Sequence, residues 1–236
     1  MKKWLMFVIA GCLIFGILHG EMELTPEQQA AVDSVNLQLF KAEQAQFYET
    51  LPKANKGDPA ALYQIGSYYV FGYGVEKDTE KGYALVQQAA EKGYADAQNM
   101  IGDHCGETSE TYDYTEALSW WRKAAAQGQC NAQYSIGQLY EQGISVPQSD
   151  SLAVYWFRKA AEQGLGDALF AVSSAYNNGK GVAQDYQEAL FWILLAFPES
   201  WDAGYDSIEI IADQLTATER KAVETRAKKW LAKHKK

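Results

Sequence analysis

The residue types that could do chemistry gather at one place in this chain, Asp103-His104-Cys105. A cysteine beside a histidine has the composition of a thiol nucleophile and its base. The spacing defeats it. Neighbours on a helix point about 100° apart, so the two side chains do not face each other. The remaining histidines, His19 and His234, lie more than eighty residues away on either side. His104, Cys105 and Cys130 lack the ligand spacing of a metal site. No glycine-rich phosphate loop follows a strand, because no stretch reads as a strand. The expectation is a non-enzyme, with no catalytic residue, metal or cofactor.

The elements that carry these residues form a repeat. From Gly128 to Gln163 two helical patterns flank a Gly/Ser/Pro break. The first has Ala132, Gly137 and Tyr140 at helical spacing. The second has Ala153, Trp156, Phe157, Ala160 and Ala161 and stops at Gly164. Such a hairpin cannot bury both apolar faces alone and needs neighbours of its own kind. They are present. Gly57, Gly93, Gly128 and Gly164 open four units at spacings of 36, 35 and 36 residues. Within them Ala61, Ala97, Ala132 and Ala168 share a position. Gly66, Gly102, Gly137 and Ser173 share another, and Tyr69, Cys105, Tyr140 and Tyr176 a third. Cys105 therefore stands at a packing position. Small residues let helices approach closely and aromatics fill what remains. Phase held over more than a hundred residues marks a stacked array.

These motifs are GDxxAxYxxG at Gly57, GVAQDYQEAL at Gly181, and WRKAAAQG and FRKAAEQG before the following glycines. They resemble the Sel-one-like repeat (SLR) family, a relative of the tetratricopeptide repeat (TPR), over about residues 57–199. The resemblance implies an all-α fold: a right-handed α/α solenoid of antiparallel helix pairs with N- and C-terminal capping helices. It also implies a scaffolding or adaptor role without chemistry. The expected organisation is a signal or anchor at 1–20 and an N-terminal capping helix at 21–56. Four repeats follow at 57–92, 93–127, 128–163 and 164–199, then capping helices with a basic tail at 200–236.

Lys2 and Lys3 precede Trp4 to Leu18, fifteen residues without a charge. That is short for a membrane span, which needs about 20, and suits a secretory signal. Ile9-Ala10-Gly11-Cys12 has the look of a lipoprotein box, although Leu13 to Leu18 carry the apolar run past the cysteine. Cleavage, retention as an anchor and lipidation at Cys12 all stay open. Each places the folded part outside the cytoplasm, periplasmic or secreted, with membrane contact only through this segment.

Thr25-Pro26-Glu27-Gln28 has the makings of a capping box. Val32, Val35, Leu39, Phe40, Phe47 and Leu51 then supply an apolar stripe, expected to cover the open face of the first repeat. A partner-binding amphipathic helix is the alternative. The loop at Gly106-Glu107-Thr108-Ser109-Glu110-Thr111 is one residue short and lacks the paired glycines of the other loops. Thr216-Ala217-Thr218-Glu219 caps a last helix with Val223, Ala227, Trp230 and Leu231 on one face. Its Arg226 and lysines lie toward the C-terminal end and suit the helix dipole.

The chain carries a formal charge of -9, from 21 Lys/Arg and 30 Asp/Glu. Two lysines fall in residues 1–20. Eight Lys/Arg and two Glu fall from Thr216 onward, so residues 21–215 hold 11 basic and 28 acidic side chains, or -17. A body this acidic argues against nucleic acid and suits a basic partner surface. In stacked hairpins the first helices line the concave side, the usual partner surface. Its free positions, the expected protein-binding residues, are Gln64, Ser67, Asp96, Met100, Asp103, Asn131, Gln138, Ser174 and Asn178. Asp96 and Asp103 are expected to face solvent. The resemblance leaves three roles: an exported adaptor or regulator that binds a partner protein, an immunity protein that neutralises a delivered toxin, and an envelope hydrolase of the β-lactam-binding SLR type. The last is weakest, because its relatives carry paired cysteines in each repeat. Cys105 and Cys130 sit ten residues out of axial register, about 15 Å at ~1.5 Å per residue. A disulfide needs Cα atoms roughly 4.4–6.8 Å apart, so both thiols are expected to be free.

Overall fold

The computed structural model describes residues 25–108, 114–198 and 206–234. The expected signal at 1–20 and residues 109–111 of the short loop lie outside them, while Gly106 and Glu107, expected in that loop, belong to a helix. Among the described residues the secondary structure is eleven helices and no strand. They are α1 (Pro26–Ala54), α2 (Pro59–Phe71), α3 (Thr79–Glu91), α4 (Ala95–Glu107), α5 (Thr115–Ala126), α6 (Cys130–Gln142), α7 (Asp150–Ala161), α8 (Gly166–Asn178), α9 (Tyr186–Ala196), α10 (Asp206–Ala212) and α11 (Ala217–His234). The chain divides into two compact units, one ending at Leu85 and the other beginning at Val86.

In the first unit, α1 opens on the expected capping box: Thr25 Oγ1 accepts from Gln28 N, and Gln28 Oε1 accepts from Thr25 N. Its apolar stripe is used only at one end. Phe47 is buried and near-perpendicular to the rings of Tyr68 and Tyr69, with centroids 5.9 and 5.5 Å away. Val35, Leu39 and Phe40 are exposed, against expectation. The reason is length. At ~1.5 Å per residue a 29-residue helix runs about 43 Å, while 13-residue α2 offers about 20 Å of surface. Only the C-terminal end of α1 has a helix of its own unit to lie on.

The second unit stacks hairpins whose cores are built from small residues. Ala97, Ala132 and Ala168 are fully buried, as are Ala89, Ala124 and Ala160. Gly137 of α6 lies against the Phe157 ring of α7, where an added Cβ would come within 2.5 Å of Cε1. Gly102 of α4 likewise meets Trp121 of α5 at 2.6 Å. In the fourth repeat the position is Ser173, and in the repeat register Ile193 takes the place of Phe157 and Trp121. The Ser173 hydroxyl donates to the Ala189 carbonyl at 2.7 Å, so a fully buried polar group is satisfied.

Two further devices hold this unit. Gln98 and Gln133 are buried, and their amides donate to the carbonyls of Ala90 and Ala125. Gln127 and Gln163, from the ends of the WRKAAAQG and FRKAAEQG motifs, reach back to bond their Oε1 atoms at 2.8 and 2.9 Å. The bonds from Gln127 and Gln163 thus close each hairpin on itself across about 30 residues of sequence, and those to Ala90 and Ala125 tie it to the hairpin before. The loop after α6 carries Ser145 with φ 56, the single positive-φ residue other than glycine among those described. It holds the place of Gly181 in the next loop. Its hydroxyl accepts the backbone N–H of Tyr114, the residue that opens α5, at 2.8 Å, which offsets the cost of left-handed backbone.

At the far end Phe191, Trp192, Leu194 and Leu195 of α9 are buried together with Ile208 of α10 and Val223 and Ala227 of α11. The Thr216–Glu219 capping box forms. Arg226 does not merely suit the helix dipole. It pairs with both carboxylate oxygens of Glu188 and lies 3.8 Å from the Phe191 ring centroid, clamping α11 to α9. Arg220 forks onto Glu209 in the same way, with two contacts of 3.0 Å.

Candidate functional site

Asp103, His104 and Cys105 occupy successive positions near the end of α4, and Asp103 and Cys105 have separate environments. Cys105 is half-buried, packed on the cluster around Trp121 and Leu118. Burial pushes its thiol above the ordinary value, and the Glu116 carboxylate adds to the shift by charge and hydrogen bonding. A thiol held protonated is a poor nucleophile. No group of three or more His, Cys, Asp or Glu among the described residues is placed to hold a metal ion. No described helix is long and apolar enough to cross a membrane.

Cys105 and Cys130 are both unbridged. Alkylation of residues 21–236 under denaturing conditions without reductant is therefore expected to give two adducts by intact mass. Adducts that appear only after reduction would mean that α4 and α6 are out of the register described here.

The expected protein-binding residues separate by environment. Gln64 and Ser67 belong to the first unit, on α2, and are half-buried. In the second unit Asp96, Asn131, Ser174 and Asn178 are exposed on α4, α6 and α8, while Met100 and Gln138 are half-buried. Asp103 departs from expectation. It is half-buried and accepts from the Trp121 indole N–H at 2.9 Å and from Asn99 Nδ2 at 2.8 Å. Its carboxylate positions the indole that closes over Gly102 and is not a free solvent-facing charge. Burial raises its pKa above the usual carboxylate range, and Glu107 adds to the rise. The bonds from Trp121 and Asn99 oppose it.

The second unit holds a cleft of about 230 Å³ between α6 and α8, floored by Ala153, Val154 and Phe157 of α7. Tyr134 and Phe170 stand on its walls at equivalent positions of successive repeats, and Ser174 lines it as well. Phe170 is 50% exposed. Three carboxylates face the cleft: Glu141, Asp150 and Asp167. Lys180, from the loop after α8, reaches Glu141 Oε1 at 3.0 Å and Asp150 Oδ1 at 3.6 Å. The Tyr134 hydroxyl is pushed up by burial and then by Asp167 and Glu141, which keeps it a donor. Asp167 and Phe170 are not among the expected residues, although the register pointed to them. Asp167 shares the position of Asp96 and Asn131, and Phe170 that of Tyr134.

A family model of the Sel1 repeat matches residues 59–94, 95–129, 130–165 and 166–197, more than half of the chain. The crystal structure of a protective antigen of uropathogenic Escherichia coli, described as displaying an SLR fold, superposes with a TM-score of 0.69 at 29% identity. The match covers 80% of this chain and 41% of that one. A Sel1 repeat protein from Oxalobacter formigenes gives a TM-score of 0.63 at 30% identity, over 74% of this chain and 50% of that one. Among curated proteins, an uncharacterised protein of Neisseria meningitidis serogroup B is 28% identical over 43% of this chain and 21% of its own length. The DAP3-binding cell death enhancer 1 of Rattus norvegicus is 37% identical over 32% of this chain and 14% of its own. This chain thus spans about a quarter or less of the length of the curated relatives it matches. Sel1-repeat proteins are protein-interaction scaffolds, and their fold is in general non-catalytic. With four matched repeats and an all-helical solenoid fold, this chain belongs to the Sel1 repeat family.

Proposed function

We infer that this chain is a non-catalytic, exported scaffold that binds a partner protein in the bacterial periplasm, as an adaptor or regulator. The observation that carries the reading is the recurrence of exposed polar side chains on the first helices of successive Sel1 repeats: Asp96 and Asn131 at one position, Ser174 and Asn178 further along α8. None of the four contributes to the buried core, so their variation is open to recognition. Lys2 and Lys3 ahead of the uncharged stretch Trp4 to Leu18 support export. The charge of -17 over residues 21–215 supports a partner with a basic surface.

The test is capture from cross-linked, fractionated cells that express the tagged full chain. The expected result is a partner retained in stoichiometric amount from the periplasmic or membrane fraction, and lost when Asn131→Arg and Ser174→Arg are combined. A chain found in the cytoplasm, or retention indifferent to the two substitutions, overturns the reading. The identity of the captured protein then separates an adaptor from a toxin-neutralising role.

A further inference from the structure

We propose that the cleft between α6 and α8 is a socket for a single arginine side chain of the partner protein. The proposal rests on the scaffold reading and names the chemistry that one part of the surface recognises. Size comes first. Sites for drug-sized ligands and cofactors run from about 300 to 1,000 Å³. A cleft of about 230 Å³ suits one long side chain instead. Charge comes second. Glu141, Asp150 and Asp167 give the cleft three negative charges, and Lys180 returns one positive charge. Lys180 also shows that one end already accepts a cation, between Glu141 and Asp150. The other end is different. Among the described residues no cation pairs with Asp167, and the aromatic rings of Tyr134 and Phe170 stand in the same cleft.

A carboxylate beside aromatic rings selects a planar cation over a compact one. A guanidinium can fork onto Asp167 and lie on a ring face at once, whereas an ammonium is a strongly hydrated point charge. Phe170, half exposed at the cleft, is the ring with most of its surface still to cover. The repeat register shows that the arrangement is particular to this pair of helices. One repeat earlier the place of Tyr134 is taken by Asn99, whose amide bonds Asp103, and the place of Phe157 by Trp121, whose indole does the same. The earlier position is filled from within; the later one is open.

The experiment is an NMR titration of ¹⁵N-labelled residues 21–236 with acetyl-Gly-Arg-Gly-amide, alongside the lysine and glutamate versions of the peptide. Saturable shifts are expected at the amides of Tyr134, Phe170 and Ser174, with the arginine peptide the tightest and the glutamate peptide without effect. Asp167→Asn and Phe170→Ala should each weaken binding at least about fivefold, as expected when one partner of a charge-assisted or stacked contact is removed. Lys180→Gln removes the competing cation and should tighten binding about two- to fivefold, in the range of exposed charge pairs. Asp167 and Lys180 are surface residues whose spectra report directly that the fold is kept, so the test does not depend on Phe170→Ala. Shifts spread over the whole acidic surface, equal affinity for the lysine peptide, no shifts at all, or binding indifferent to Asp167→Asn overturn the socket. Each of these outcomes is independent of partner capture, so the socket can fail while the scaffold reading stands.

Discussion

Gly137→Leu is expected to lower the stability of residues 21–236 by about 3 kcal/mol or more, at the upper end of what overpacking costs. For a domain of this size that is a fall in melting temperature of about 6–12 °C. The first added atom already falls within 2.5–2.6 Å of two carbons of the Phe157 ring. The ring has nowhere to go, because Phe157 is buried and Tyr134 lies with its centroid 5.3 Å away. Closely packed interiors transmit such a clash to the backbone. Gly166→Ala is the matched control. It adds a Cβ that meets nothing within 4 Å, and its φ is not left-handed. It should be neutral or stabilise by about 0.4–1 kcal/mol through the unfolded chain. Thermal melts that place Gly137→Leu with the wild type would show that α6 and α7 do not meet at Gly137.

Asp103 supplies the second large effect, and the size of its charge contribution depends on pH. Asp103→Ala leaves the buried indole N–H of Trp121 without its acceptor and should cost about 1–3 kcal/mol. Asp103→Lys should cost at least as much, since an ammonium cannot accept that proton. Asp103→Asn keeps an acceptor and removes the charge. Burial, the largest cause, raises the folded pKa of Asp103 above its unfolded value. The folded state therefore holds the proton more tightly, and ionisation of Asp103 subtracts stability at neutral pH. That penalty is fully present above the raised pKa and fades as pH falls through it toward the ordinary carboxylate value. Asp103→Asn should accordingly be as stable as the wild type or more so at neutral pH, with the difference shrinking on acidification. Urea titrations across pH read this directly. An advantage for Asp103→Asn that grows in acid, or an Asp103→Ala protein as stable as the wild type, would contradict the geometry at Trp121.

The sequence alone was enough for the repeat. Alanine and glycine held in phase at 36, 35 and 36 residues say where helices must approach, because a side chain larger than methyl at those points leaves no room. It was also enough for the helix starts that depend on neighbouring residues only, such as Thr25 with Gln28 and Thr216 with Glu219. What a row position does was decided by tertiary structure. Gly102, Gly137 and Ser173 are one position in the register, yet the first two lie against the rings of Trp121 and Phe157 while the Ser173 hydroxyl bonds the Ala189 carbonyl of the facing helix. Asp103, Gln138 and Ser174 are likewise one position. Only Asp103 meets an indole N–H, so the carboxylate that looked free is bound to structure. Asp96, Asn131 and Asp167 share a third, and only Asp167 opens onto a cleft between aromatic rings. Local rules act through neighbours in sequence and can be read from it. Exposure, pairing and the shape of a cleft depend on which side chain the next helix brings to the same place, about 35 residues away in the chain.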